Sequence, residues 1–193
     1  MNPASPVPPP PPDAPAPACA VLPRTRSCFV CGVENPHGLH THSRVEGDRV
    51  VIEYVARESD CGYRQLVHGG IVMTLLDEAM TWAAILAAGR MCVAAELTVR
   101  LRRPMTAGDR LRIEGRVVRH AGRVLYTEGA VLDAAGAVAT AAEGKYMPMP
   151  AAQTERSEQD FLPGPDLDAW LRRKARAGHS TEQPQNVECR TAE

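Results

Sequence analysis

Between residues 49 and 57 the chain alternates. Val50, Ile52, Tyr54 and Ala56 are interleaved with Arg49, Glu53 and Arg57, a period-two pattern that predicts a half-buried strand. Residues 39–45 can pair back onto it through Glu46-Gly47-Asp48, a turn-forming triplet. A loop is expected over 58–67. From Gly69 to Ala88 the period changes. Val72, Leu75, Leu76, Ala79, Ala83 and Leu86 fall on one helical stripe, and Gly89 is placed to end that helix. Thr74, Asp77 and Thr81 lie on another face.

Alternation then returns. Val93, Ala95, Leu97, Val99 and Leu101 are set against Glu96, Thr98, Arg100 and Arg102, and Pro104 closes the segment. Leu111, Ile113 and Val117 oppose Arg110, Arg112, Glu114 and Arg116 in the next strand. Ala121-Gly122 and Ala135-Gly136 signal tight turns into residues 123–133 and 137–147. The sum is a hairpin, one long helix and four antiparallel strands. A sheet with one apolar face needs a cover, and one helix can supply it. The class is α+β.

The flanks differ in composition. Residues 1–24 are mostly Pro and Ala, with an unbroken Pro8 to Pro12 run, and are expected to form a disordered tail. The folded domain is expected over 25–150. Residues 151–193 are read as a polar tail with a candidate short, peripheral helix over 166–177. The length of 193 residues suits one ordinary domain. A formal net charge of -1 offers no basic field for nucleic acid, and two Phe, four Tyr and two Trp provide few stacking surfaces. The longest apolar stretch, 71–88, is broken by Asp77 and Glu78, so no membrane span is expected. No basic segment precedes an apolar one near the N-terminus, which argues against a secretory signal. The six scattered cysteines fit reduced thiols, and the expected location is cytoplasmic.

The chemistry concentrates at His68-Gly69-Gly70, with Asp77 nine positions after the histidine. Glycines at a helix start let a substrate approach backbone N–H donors that carry partial positive charge. Such donors polarise a carbonyl, and a carboxylate across from them can drive attack on its carbon. Acyl transfer is the indicated chemistry. Gly69 and Asp77 are separated by roughly 12 Å at about 1.5 Å per residue, too far to serve one carbonyl within a single helix. A twofold pairing could set Asp77 of one copy near Gly70 of the other and create two equivalent sites. A monomer is then expected to be inactive.

Three segments together resemble the hotdog-fold thioesterases of the PaaI-like type. They are Cys28-Phe29-Val30-Cys31-Gly32 with Asn35-Pro36-His37-Gly38-Leu39, then His68-Gly69-Gly70 to Leu76-Asp77-Glu78-Ala79, then Glu96-Leu97-Thr98-Val99-Arg100 to Pro104. The resemblance spans residues 28–148. It implies a curved antiparallel sheet wrapped around one long central helix, assembled as a homodimer or dimer of dimers. It also implies hydrolysis of acyl-CoA thioesters without metal or cofactor. Asp77 would act as general base or as nucleophile, and the Gly70 N–H, with Gly69, would receive the thioester oxygen. Thr81 would orient the water or the carboxylate, and His68 would hold the loop at the helix start.

This chain departs from that family in the loop before His68. Relatives often carry Asn or Gln six residues before the histidine, where this chain has Gly62; Gln65 is the candidate substitute. Ala94 and Ala95 stand where relatives often place a hydroxyl. These differences keep a second reading open, a non-catalytic acyl-CoA-binding or regulatory protein on the same fold. Glu78 is expected at the surface, and Arg100, Arg102 and Arg103 are expected as a solvated face rather than a CoA phosphate site. Cys28-x-x-Cys31 with His37, His40 and His42 could offer zinc two thiolates and two imidazoles. The spacing fits no common finger, so a turn with free thiols is expected there, and a metal-dependent interaction module is the third reading.

Overall fold

In the computed structural model, residues 20–179 are described. Seven strands form one antiparallel sheet in the order β1-β2-β3-β7-β8-β9-β6. They are β1 (Ala20–Val21), β2 (Ser43–Glu46), β3 (Arg49–Val55), β6 (Cys92–Leu101), β7 (Arg110–Ala121), β8 (Val124–Leu132) and β9 (Val138–Pro148). A separate short hairpin, β4 (Cys61–Tyr63) and β5 (Leu66–Val67), precedes the long helix α1 (Gly69–Ala88). Two further helices follow the sheet, α2 (Ala151–Glu158) and α3 (Pro165–His179).

The sheet wraps α1 as the apolar stripe requires. Val72, Leu75, Leu76, Ala79 and Met80 of the helix are buried against Ile52, Ile113, Leu125 and Tyr146 of the strands. This is the hotdog arrangement. The close approach has a specific cause. Gly115 on β7 pairs with Gly129 on β8, and a Cβ at Gly115 would lie 2.6 Å from the Ala79 carbonyl carbon. The opposite face of β2, β3 and β7 is polar, where Arg112 bonds Glu46 at 2.6 Å, Glu114 at 2.8 Å and Glu53 at 3.1 Å. Gly89 ends α1 with φ 68°, the left-handed conformation expected of it.

Several expectations change. The 58–67 loop contains a 3-10 turn (Glu58–Asp60) and the β4–β5 hairpin, closed by Gln65 at φ 62°. Residues 1–19 of the expected N-terminal tail lie outside the described residues, but Ala20 and Val21 pair with β2, and Leu22 is buried. The C-terminal segment packs rather than trailing away. Phe161 and Trp170 are buried, with ring centroids 5.9 and 5.8 Å from that of Trp82 on α1. Large aromatic areas outweigh the polar average of the segment.

The apolar row of β6 is not covered as its alternation predicts. Val93 and Leu101 are 46% and 49% exposed. β6 is an edge strand, paired on one side with β9 and bulged between Ala94 and Glu96.

Candidate functional site

His68 caps α1. Its backbone is extended, and its Nδ1 accepts the Gly70 N–H at 2.9 Å. A ring nitrogen that accepts is unprotonated, so the neutral ring carries its proton on Nε2. His68 therefore holds the helix start, and in doing so it occupies the expected oxyanion donor. Among the described residues, the Gly69 N–H has no acceptor. Gly62 faces the same ring: a Cβ there would come within 2.7 Å of His68 Cδ2. An Asn or Gln at 62 would displace the imidazole, which accounts physically for the glycine. Gln65 sits at the hairpin tip, lining a cleft of about 550 Å³ with Tyr63, Arg64 and Thr106. Asp77, Thr81 and His68 do not border that cleft.

Asp77 lies half-buried on α1. Its Oδ1 accepts from Tyr146 Oη at 2.7 Å and from Thr81 Oγ1 at 3.4 Å. Thr81 is thus positioned as the helical spacing predicts. Tyr146 was not predicted. It reaches Asp77 from β9, where it pairs opposite Ala94 of the edge strand. Burial, with the Asp77 charge beside it, pushes the Tyr146 phenol above its usual range, so it remains a donor. Its only sequence signal is an aromatic residue within the alternation of a late strand. Tyr146→Phe keeps the buried ring and removes one hydrogen bond to a carboxylate, an interaction of about 2 kcal/mol. Steady-state kinetics should show kcat for thioester hydrolysis down about tenfold with KM little changed.

A second unpredicted group braces the approach to His68. The Asp60 carboxylate accepts from Tyr54 Oη, from the Arg57 N–H at 2.8 Å and from Arg57 Nη2 at 2.9 Å. The Asp60 carbonyl accepts the His68 N–H at 2.8 Å. Burial raises the Asp60 pKa, but Arg57 and Tyr54 outweigh it and hold the carboxyl below its ordinary 3.8. A depressed folded-state pKa gives stability that is present above the unfolded value and lost as pH falls through the folded one. Asp60→Asn should lower Tm by about 5 °C at neutral pH. Its acid limb, followed by thermal melts below pH 4, should be shallower than that of the wild type.

Glu78, expected at the surface, points inward. Its carboxylate, Cys28 Sγ and Cys31 Sγ all lie within 4.8 Å of one another, and Trp82 Nε1 donates to Glu78 Oε1 at 3.2 Å. The 25–39 segment, distant in sequence, covers this face of α1. His40 and His42 are engaged elsewhere: the His40 ring bonds the Gly32 carbonyl at 2.8 Å, and His42 Nε2 lies 3.7 Å from Asp166. His37 is exposed. Arg100 and Arg103 pair with Glu143 at 2.8 Å and Asp133 at 3.1 Å.

The thioesterase superfamily matches residues 65–140, which include the helix start, Asp77 and β6 to β8. The match covers 76 of the chain's 193 residues, and the structural neighbours below share its fold. The PaaI protein from the phenylacetic acid degradation operon of E. coli is similar in structure, with TM-score 0.54 and 20% identity over 58% of this chain and 81% of that one. A further thioesterase superfamily protein superposes with TM-score 0.58 and 27% identity over 63% of each chain. A Streptococcus mutans protein, solved bound to acetyl CoA, gives TM-score 0.50 and 20% identity over 53% of this chain and 82% of that one. Among curated proteins, none matches.

Proposed function

We propose that this chain hydrolyses acyl-CoA thioesters to the free acid and CoA, in a site shared by two copies. The superfamily supports a thioesterase, and the acetyl CoA held by the S. mutans neighbour supports the CoA carrier. The observation that carries the reading is the placement of Asp77 relative to the β6 edge. Asp77 bonds Tyr146, which pairs opposite Ala94 near one end of β6. At the other end, Leu101 Cδ1 is 3.0 Å from a Cβ built on Gly69.

Antiparallel pairing of β6 with a second β6, centred near Leu97, sets the Leu101 end of one strand against the Val93 end of its mate. The helix start of one copy then faces Asp77 of the other. The same pairing covers the exposed Val93 and Leu101 and satisfies the free edge. A homodimer, alone or doubled, completes two sites. In the cytoplasm such a site would draw on a ready supply of CoA thioesters.

In this site the Gly69 N–H receives the thioester oxygen, and the Gly70 N–H joins it once the His68 ring swings aside. One such donor contributes about 3 kcal/mol in the transition state. Asp77 acts as base on water or as nucleophile, with Thr81 and Tyr146 fixing its carboxylate. The test is thiol release from a panel of acyl-CoAs, run beside a measurement of mass in solution. Turnover by a dimer or tetramer supports the proposal; a monomer that turns over as fast refutes the shared site. The second reading, a non-catalytic acyl-CoA binder, is favoured by Gly62 and by the capped Gly70 N–H. It requires thermal stabilisation by acyl-CoA with no thiol released.

A further inference from the structure

The Cys28–Cys31 turn and Glu78 form a cluster with no place in the thioester chemistry. The turn is built around the Cys28 sulfur. Cys28 Sγ accepts the Val30 N–H at 3.2 Å, and the Gly32 N–H bonds the Cys28 carbonyl at 2.9 Å. A Cβ at Gly32 would lie 2.2 Å from the Cys28 carbonyl oxygen, so only glycine lets the turn close. The Val30 N–H thus points at the Cys28 sulfur, and an oriented backbone N–H favours negative charge on the atom it faces. Thr25 Oγ1 lies 3.6 Å from Cys31 Sγ and accepts the Cys28 N–H at 3.2 Å, which fixes the second thiol beside the first.

Glu78 enters from the helix. Its carboxylate is oriented by the Trp82 indole and makes no salt bridge among the described residues. The cluster brings three donor atoms together, and among the described residues no Lys, Arg or His pairs with Glu78.

We propose that Cys28, Cys31 and Glu78 bind one divalent zinc ion, which ties the N-terminal turn to α1. Three ligand atoms on one tetrahedral ion with Zn–S of about 2.3 Å stand about 3.5–3.8 Å apart. The observed separations, all within 4.8 Å, reach that by small rotamer changes. Two thiolates select a borderline-soft ion such as zinc over magnesium or calcium. Water or a small anion fills the fourth position. Binding displaces the Cys31 proton, and any proton on Cys28 or Glu78, to solvent. Glu78 follows Asp77 by one residue on α1, so the proposed ion is held on a different face of the helix from the one that bears Asp77. Its role is to staple structure, and its presence is independent of the thioesterase reading.

The experiment titrates the reduced, metal-stripped full chain with cobalt(II) under nitrogen. The expected result is thiolate-to-cobalt charge-transfer absorption saturating at one equivalent, displaced by zinc, with a higher Tm in the zinc-bound protein. Cys31→Ser should lose the charge-transfer band. Glu78→Gln should retain the band and weaken cobalt affinity at least about tenfold, with circular dichroism confirming the fold of each variant. A folded, reduced wild type that shows no band overturns the site. So does a Cys31→Ser protein with an unchanged band, or a chain that closes a Cys28–Cys31 disulfide in air and takes no cobalt once reduced.

Discussion

Asp77→Asn should lower kcat for acyl-CoA hydrolysis by about 100- to 10,000-fold, the range lost when a positioned general base is removed. Asparagine preserves the side-chain shape. Its Oδ1 can still accept from Tyr146 Oη and Thr81 Oγ1, which lie 2.7 and 3.4 Å from the carboxylate oxygen. Fold and substrate binding should therefore survive, with Tm within a few degrees of the wild type and KM little changed. What is lost is the capacity to take a proton from water or to attack the thioester carbon. An interaction needed only in the transition state appears in kcat rather than in KM. Equal rates for the two proteins remove Asp77 from the mechanism. If activity is lost as expected, acid-quenched wild type separates the two chemistries by mass: an acyl adduct on Asp77 identifies a nucleophile, and its absence during rapid turnover identifies a base.

The elements set by local chemistry were legible in the sequence. Gly47 closes the β2–β3 hairpin, Gly89 ends α1, period-two alternation marks β3 and β7, and the Ala121-Gly122 and Ala135-Gly136 turns mark the starts of β8 and β9. The β4–β5 hairpin was not legible, because its turn uses Gln65 in the left-handed region where glycine or asparagine is the usual signal. A helix over 166–177 was legible and is α3, but α2 and the packing of this segment against α1 were not. Phe161 and Trp170 stand in a polar segment, and only the location of Trp82 makes them core residues.

The candidate site divides the same way. His68, Gly69, Gly70, Asp77 and Thr81 share one helix, so spacing alone relates them. Tyr146 and Asp60 join through contacts across the fold: Tyr146 meets Asp77 from β9, and Asp60 holds the residue before the glycines from the loop. Glu78 was misplaced for a related reason. Helical periodicity turns it away from the Asp77 face, but it cannot reveal that the Cys28–Cys31 turn covers the face it turns toward.

Gly115→Ala tests whether the sheet's hold on α1 sets both stability and the geometry of Asp77. The added methyl would lie 2.6 Å from the Ala79 carbonyl carbon, 2.7 Å from its oxygen and 2.7 Å from the Met80 nitrogen. All three are backbone atoms in the middle of a buried helix, so no side-chain rotation relieves the overlap. Either α1 lifts or β7 bends, and overpacking of this kind costs about 3 kcal/mol. For a domain of this size that corresponds to a Tm fall of roughly 6–12 °C. Gly129→Ala is the matched control. Its methyl meets Met80 Sδ at 2.6 Å and Met80 Cγ at 3.0 Å, atoms of a side chain that can rotate, though Leu76 Cδ2 lies 3.1 Å away. Its Tm should fall by less than half as much. The Gly115 contact falls within one turn of Asp77, whereas Tyr146 is fixed in the sheet. Lifting the helix therefore lengthens the Tyr146–Asp77 hydrogen bond, and kcat of the folded Gly115→Ala protein should fall with stability. A Gly129→Ala protein that melts below Gly115→Ala would show that the helix rests on the Met80 side chain, not on the backbone contact at Gly115.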